Sequence, residues 1–370
     1  MYYFDHSATT PVHPDVLEHI HEVQKNLYGN PSSIHQKGRD ARSIIEKSRN
    51  QIANAIGTEA NKIIFTSGGT ESNNQVLWSR LGKKKNHIIS NKIEHPAIIS
   101  TLKFLKKHNI DYNLCDVNSK GNISLNNIKN NIKSNTGLIS VMLANNEIGS
   151  IQPIKKIVTI AKEKKIAVHS DAVQCLGKIK LDVKNIGVDF LSLSAHKFYG
   201  PKGIGILYIK DKNSISPYLI GGGQEFGLRG GTEDAASIAG MGLAAEIAIK
   251  NLNQKIKHLN ILESKFVTGL KTIYPKAIIN GNKQNKLPGL ISVSFPGFKS
   301  DILMAKLDRL EIYVSNGAAC GSGDIKPSKV LKAISLSAEL NISTLRFSFG
   351  ITNSKNQIEY LLNKLKEILI

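Results

Sequence analysis

Between about residue 60 and residue 210 the chain repeats one pattern, a short run rich in β-branched residues followed by a stretch with apolar residues at helical spacing. KIIFTS precedes TESNNQVLWSRL, HIISN precedes HPAIISTLKFLKK, and GLISVML precedes PIKKIVTIAKEKK; IAVHSD, VDFLSLS and GIGILYI follow. Strands separated by helices cannot pair as tight hairpins. Their crossovers make neighbours parallel, and a parallel sheet needs helices over both faces. The expected class is therefore α/β, with a mainly parallel sheet between helices. Ligands of such sheets bind beyond the carboxyl ends of the strands. Polar residues gather there: Ser67-Gly68-Gly69-Thr70-Glu71 after one strand, Asn145-Asn146-Glu147 after another, then His169-Ser170-Asp171, then Ser194-Ala195-His196-Lys197.

After Gly221-Gly222-Gly223, residues 232 to 272 read as long helices with few breakers. A second α/β unit follows: LISVSF, SDILMAKLDRL, YVSNGAACGSG, PSKVLKAISL, TLRFSFG and a last helix with Ile358, Leu361, Leu365 and Ile368 at helical spacing. The expected division is a large domain over residues 15–255 and a smaller C-terminal domain over 256–370 joined by residues 1–14.

Hydrophobic content of 41% with 21% charged residues fits a folded globular chain. The net charge of +20 suggests an anionic partner when taken alone. Its lysines are scattered, however, and rise together with Asn and Ile, as coding bias would produce. No dedicated nucleic-acid face is expected; attraction for an acidic protein stays open. The weakly polar run Ala235 to Ile249 is too short to span a bilayer and contains Glu246, so it reads as a buried helix. MYYFDHSATT lacks the pattern of an export signal. Cys115, Cys175 and Cys320 show no C-x-x-C pairing and no spacing suited to zinc. A reducing cytoplasm is the expected location.

Lys197 stands at the end of the nearly apolar VDFLSLS rather than in a polar run. Desolvation there lowers an ammonium pKa and yields a Schiff-base nucleophile; the plainer reading is a lysine that snorkels from a strand end. TSGGTESNN sets glycines before a helix start, either a phosphate cradle or only a tight turn. In AVHSDAVQ, His169 and Asp171 share one face of a strand, with Gln174 beyond. Asp171 is either a helix N-cap or a desolvated carboxylate that needs a cation, such as a protonated ring nitrogen. A cradle, such a carboxylate and a strand-end lysine are together what pyridoxal phosphate requires, and Ser194 and His196 can add phosphate hydrogen bonds.

The chain at this point resembles a cysteine desulfurase of the class V aminotransferase family, from YFDHSATTP to STLRFSFG. GNPSSIHQKG, FTSGGTESNN, IEHPAI, ANNEIGSIQPI, HSDAVQ, SLSAHKFYGPKGIG, GGGQEFGLRGGTE and SNGAACGSG carry the likeness. The resemblance implies pyridoxal-phosphate fold type I with a seven-stranded sheet, and conversion of L-cysteine to L-alanine. It implies that Lys197 bonds the cofactor, Asp171 pairs with the pyridine nitrogen, Gln174 meets the phenolic oxygen and His95 stacks on the ring and moves protons. Gly69, Thr70, Ser194 and His196 would hold the phosphate. Thr232 would reach the phosphate of a neighbouring subunit in a homodimer. Asn146 and Arg346 would bind the substrate carboxylate. Cys320, in a loop of small residues, would take the sulfur as a persulfide and hand it to an iron–sulfur scaffold or another acceptor protein. No metal site is expected, apart from transient ligation of an iron–sulfur cluster by Cys320. Ala318 and Asn316 stand where the family often has Ser, which bears on loop mobility and acceptor choice. Cys115 is expected in a core strand, and Cys175 buried behind the cofactor. A selenocysteine lyase or an aminotransferase of the same fold is the nearest rival, and a basic RNA-binding or scaffold protein the more distant one.

Overall fold

The computed structural model describes residues 1–316 and 327–370. Seven strands form the main sheet: β1 (Ile63–Thr66), β2 (His87–Asn91), β3 (Asp111–Cys115), β4 (Thr136–Ser140), β5 (Ala167–Asp171), β6 (Phe190–Ser194) and β7 (Gly205–Ile209). Their order is β1-β7-β6-β5-β4-β2-β3. The pairs β2/β3, β2/β4, β4/β5 and β5/β6 are parallel, and β7 runs antiparallel to both β6 and β1. Only β7 is reversed, so six strands point their carboxyl ends to the same edge, where the amino end of β7 also lies. The mainly parallel α/β sheet expected from the sequence is what forms.

Successive residues along each strand enter opposite cores, as the two-residue period demands. Ile63, Phe65, Ile139, Leu191, Leu193 and Ile206 join one cluster. Ile64, Ile88, Leu138, Phe190, Leu207 and Ile209 join the other. Helices α1 (Pro14–Asn26), α2 (Gln36–Ile56), α3 (Gly69–Trp78), α4 (Pro96–Leu105), α5 (Ile154–Glu163) and α6 (Ala235–Ile249) cover the sheet. Val16, Ile45, Ile157 and Met241 from α1, α2, α5 and α6 fill the first cluster, while Val76, Ile98 and Leu102 from α3 and α4 fill the second. The α6 helix is buried along much of its length, as its weakly polar sequence predicts. Among the described residues no helix is long and apolar enough to cross a membrane.

A separate core gathers Phe4 with residues from Leu259 to Leu369. It lies between α7 (Leu252–Ile273), α8 (Lys355–Leu369) and an antiparallel sheet of β8 (Ile278–Asn280), β9 (Leu290–Ser294) and β10 (Thr344–Ser348). Tyr2–Tyr3 pairs in parallel with Ile312–Tyr313, which brings the start of the chain to this core. Ser354 and Gln357 close a capping box at the head of α8, and Ile358, Leu361 and Leu365 of that helix are fully buried.

One buried ion pair ties the turn after the triple glycine to the sheet. Arg49 of α2 donates to both carboxylate oxygens of Glu225 at 2.8 Å, and Glu225 also accepts from Phe65 N at 2.7 Å. Both side chains are almost wholly buried, at 4% and 2% exposed. Removing Glu225 leaves the buried guanidinium only the half-exposed Glu46 at 3.2 Å as counter-charge and strips Phe65 N of its acceptor, so Glu225→Ala should lower unfolding free energy by about 2–4 kcal/mol. A urea titration of the apoprotein would measure it, and a loss below about 1 kcal/mol, the range of exposed pairs, would refute it.

Candidate active site

A cavity of about 410 Å³ opens at the carboxyl edge of the sheet. Each wall follows from a strand end. Beyond β1, Gly68 adopts φ 151°, a conformation suited to glycine, and α3 starts at Gly69. Gly69 and Thr70 of that first turn, where helix N–H groups have no intrahelical partner, belong to the cavity lining. A Cβ on Gly205 would sit 2.6 Å from Gly68 Cα, so the first residue of β7 must be small for the loop to pass. Beyond β6 a single 3₁₀ turn, Ala195–Lys197, carries His196 and Lys197 to the cavity beside Ser194.

Lys197 Nζ donates to the backbone carbonyls of Ser7 at 2.8 Å and Ala8 at 2.6 Å. Burial and the nearby Arg346 guanidinium lower its pKa to about 8, against smaller opposing effects of Asp5 and Asp171. Among the described residues the ammonium pairs with no carboxylate and is held inward by two backbone carbonyls, which does not fit a lysine snorkelling to solvent.

Asp171, at the end of β5, is 6% exposed. Its carboxylate accepts from Asn73 Nδ2 at 2.7 Å and Val173 N at 3.0 Å, both neutral donors. No helix follows it, so it is not an N-cap, and no cation of the described residues pairs with it. A buried carboxylate with open lone pairs facing a cavity suits a cationic ring nitrogen. Gln174 accepts from Lys178 Nζ at 3.0 Å and donates to the Ser7 carbonyl at 2.9 Å. His169 lies inside the sheet between Ser140 and Ser192, away from the cavity.

His95 stands at the cavity rim as the N-cap of α4, its Nδ1 accepting from Ala97 N at 3.1 Å. Burial lowers its pKa, with Asp171 opposing and Lys197 assisting. The neutral tautomer then carries its proton on Nε2. The preceding Glu94 is buried, which pushes its carboxyl pKa well up, and it fastens the His95 loop by accepting from Met142 N and Asn91 Nδ2, each at 2.6 Å. His196 has its pKa lowered to about 4, chiefly by burial, and meets Thr9 Oγ1 at 3.1 Å.

Nine of the predicted site residues line this one cavity: Asn146 with the eight already placed, Gly69, Thr70, His95, Asp171, Gln174, Ser194, His196 and Lys197. Arg346 does not line it. Its Nη2 pairs with Asp5 at 2.6 Å and its Nη1 donates to the Asn146 carbonyl at 3.0 Å, directly behind the wall. Thr232 is exposed and off the cavity. Cys320 and Ala318 lie outside the described residues. Sequence reasoning assigned no role to Asn73, Thr9 or the Ser7 and Ala8 carbonyls, though Asn73 falls in TSGGTESNN and the others in HSATT. Cys115 is in β3 with its thiol pushed up to about 11 by burial, and Cys175 is fully buried, both as expected. Among the described residues no His, Cys, Asp and Glu cluster could hold a metal ion.

A glycine-bounded helix start for a phosphate, an unpaired buried acid for a ring nitrogen and a desolvated amine fit pyridoxal phosphate. Comparison with known proteins agrees. The aminotransferase class-V family model matches residues 2–361. Cysteine desulfurase IscS of Dictyoglomus turgidum is 42% identical over 370 residues, covering 99% of this chain and 94% of its own. Cysteine desulfurase IscS of Methanosarcina thermophila is 40% identical over 373 residues, covering 99% and 91%. Among solved structures, a NifS-like protein superposes with a TM-score of 0.94 at 38% identity, covering 100% of this chain and 99% of its own. SspA, solved in complex with cysteine, gives 0.83 at 34% identity, covering 95% and 99%. The chain thus belongs to the class-V aminotransferases and, within them, to the pyridoxal-phosphate-dependent cysteine desulfurases, which convert cysteine to alanine and pass on its sulfur as a persulfide.

Proposed function

We propose that the cavity at the sheet edge is where this chain desulfurates L-cysteine, with Lys197, His95 and Cys320 as catalytic residues. The observation that carries the reading is the convergence of Lys197, Asp171 and the Gly68–Thr70 helix start on one cavity. The cysteine bound to SspA supports the same substrate class.

Gly69, Thr70, Ser194 and His196 would hold the phosphate of the cofactor, Asp171 its ring nitrogen, Gln174 its phenolic oxygen and His95 its ring face. Pyridoxal phosphate, when bound, supplies an aldehyde that condenses with amines and a cationic ring that takes up the electron pair left by a broken α-C–H bond. The residues do the rest. Asp171 keeps the ring nitrogen protonated, because a buried carboxylate without a cation is costly. Asn146 at the cavity wall would receive the substrate carboxylate, and Arg346, just behind it, would have to exchange its pair with Asp5 for that carboxylate. The neutral Lys197 amine removes the α-proton, and His95 Nε2 exchanges protons at the sulfur. Cys320 thiolate bonds to the substrate sulfur as the carbon–sulfur bond breaks. The proton the thiol gave up on ionising ends on the carbon that lost sulfur, so cysteine and thiol become alanine and protein persulfide with no added oxidant or reductant.

The reading extends to architecture and partners. Residues 15–255 form the large domain, and 1–14 with 256–370 the small one, supported by the separate core that joins Phe4 to the C-terminal elements. Thr232 meets the phosphate of a second copy in a homodimer, consistent with its exposure away from its own cavity. The persulfide goes to an iron–sulfur scaffold or other acceptor protein in the cytoplasm, where thiols such as Cys115 and Cys175 stay reduced.

A single turnover tests the core of this. Holoenzyme mixed with sulfur-labelled L-cysteine, without reductant, should yield alanine and protein-bound label in equal amounts, the label on the Cys320 peptide. Alanine without bound label, or label on Cys115 or Cys175, would reject the assignment of Cys320.

A further inference from the structure

The apparatus above leaves one buried cation without a role. Lys178, on the turn after β5, is 9% exposed, and no carboxylate of the described residues pairs with it. Its Nζ donates to Gln174 Oε1 at 3.0 Å. Lys178 also lines, with His6 and Tyr199, a cavity of about 30 Å³, room for one water. The other ionisable groups acting on it are Lys197, Cys175, Arg346 and His6. A lone buried ammonium opposes folding, so its presence needs a reason beyond packing.

The reason lies in the Gln174 amide. The Ser7 carbonyl only accepts, so the atom 2.9 Å from it is Nε2. Burial lowers the Lys178 pKa to about 7, and in its protonated form it only donates, so the atom facing it is Oε1. One N–H of the amide is used by Ser7, and the second remains on a side chain that lines the active-site cavity. The same Ser7 carbonyl accepts from Lys197 Nζ at 2.8 Å, so Lys178, Gln174, Ser7 and Lys197 form one chain of contacts.

We propose that Lys178 is a positioning residue: by occupying Gln174 Oε1 it holds the amide with its NH₂ group toward the cavity, so that Gln174 offers the cofactor's phenolic oxygen only a donor. Without it only the Ser7 carbonyl, already shared with Lys197, opposes a turned amide whose carbonyl oxygen would face that oxygen and replace attraction with repulsion. The inference rests on the proposed meeting of Gln174 with the phenolic oxygen.

The test uses the holoenzyme and the pH midpoint at which the visible absorbance of bound cofactor changes. Donation to the phenolic oxygen, and positive charge near it, favour its anionic form and lower the midpoint. Lys178→Met should therefore raise it by about one unit, a tenfold change in the protonation equilibrium. Lys178→Arg, which keeps a donor to Oε1, should return it to the wild-type value. Gln174→Met separates the two claims. If Gln174→Met leaves the midpoint in place, the role of Gln174 is wrong and the inference falls with it. If Gln174→Met moves it and Lys178→Met does not, or if Met and Arg at 178 shift it alike, the positioning role alone is refuted. Should Lys178→Met not fold, the wild-type holoenzyme structure decides: Lys178 Nζ within hydrogen-bond distance of the Gln174 amide supports the proposal, and separation beyond about 4 Å overturns it.

Discussion

Lys197→Ala is expected to lower alanine formation by more than about a thousandfold, in the upper range for loss of a general base, with the added loss of the bond to the cofactor. The expectation comes from where the amine sits. The buried strand β6 ends at Ser194, a 3₁₀ turn follows, and Nζ is held against two backbone carbonyls at the cavity wall. With its pKa lowered to about 8 from the ordinary 10.5, the amine at pH 7 is neutral about 300 times more often than a solvated lysine. That neutral fraction increases as pH rises through 8, so the acidic limb of activity should climb up to there and flatten above. The same shift predicts a second reading. Because the folded pKa lies below the ordinary one, the ammonium opposes folding; the penalty is full at pH 7, below both values, and is lifted as pH rises from about 8 towards 10.5. The alanine variant of the apoprotein should then be no less stable than wild type. A large loss of stability would mean that Lys197 serves the fold, and activity within tenfold of wild type would remove it from the chemistry.

The fold was legible because both faces of a parallel sheet are buried. Runs such as IIF and FLSLS then have to be almost wholly apolar or small, and they stand out from the helical periods around them. The site was legible for a related reason. A strand that ends its apolar run in Gly-Gly-Thr, His-Ser-Asp or Ala-His-Lys marks the edge where polar groups have no sheet partner. What stayed hidden has no local signal. Backbone carbonyls hold Lys197, and Ser7 lies 190 residues from it in sequence; only the tertiary fold brings that N-terminal turn under the amine. Lys178 sits in CLGKIK, which reads as a solvated lysine after a turn, and its burial depends on the packing of distant segments. Arg346 is inside β10 at an inward position, yet its ion pair with Asp5 depends on the N-terminal segment crossing between the two cores. Helices α1 and α2 also escaped, because the alternation that frames the sheet begins only at β1.

Cys320→Ala is expected to abolish desulfuration, by more than about a thousandfold, while cofactor binding and its visible absorbance persist. Two arguments single out this thiol. The first is chemical: only a thiolate attacks sulfur well, and burial holds the Cys115 thiol up at about 11 and the Cys175 thiol higher still, so both stay protonated. Neither can replace Cys320. The second is connectivity. Ser315 exchanges backbone hydrogen bonds with Arg346, which itself donates to the carbonyl of Asn146 on the cavity wall. On the other side Ser328 donates to the carboxylate of Glu147 at 2.5 Å. The described flanks of the segment bearing Cys320 are thus both tied to the Asn146–Glu147 turn. Cysteine supplied to the variant should yield no alanine above background and no labelled persulfide after alkylation and mass spectrometry. Alanine at the wild-type rate would show that sulfur leaves without a protein thiol, a lyase-like route in which the protein carries no persulfide.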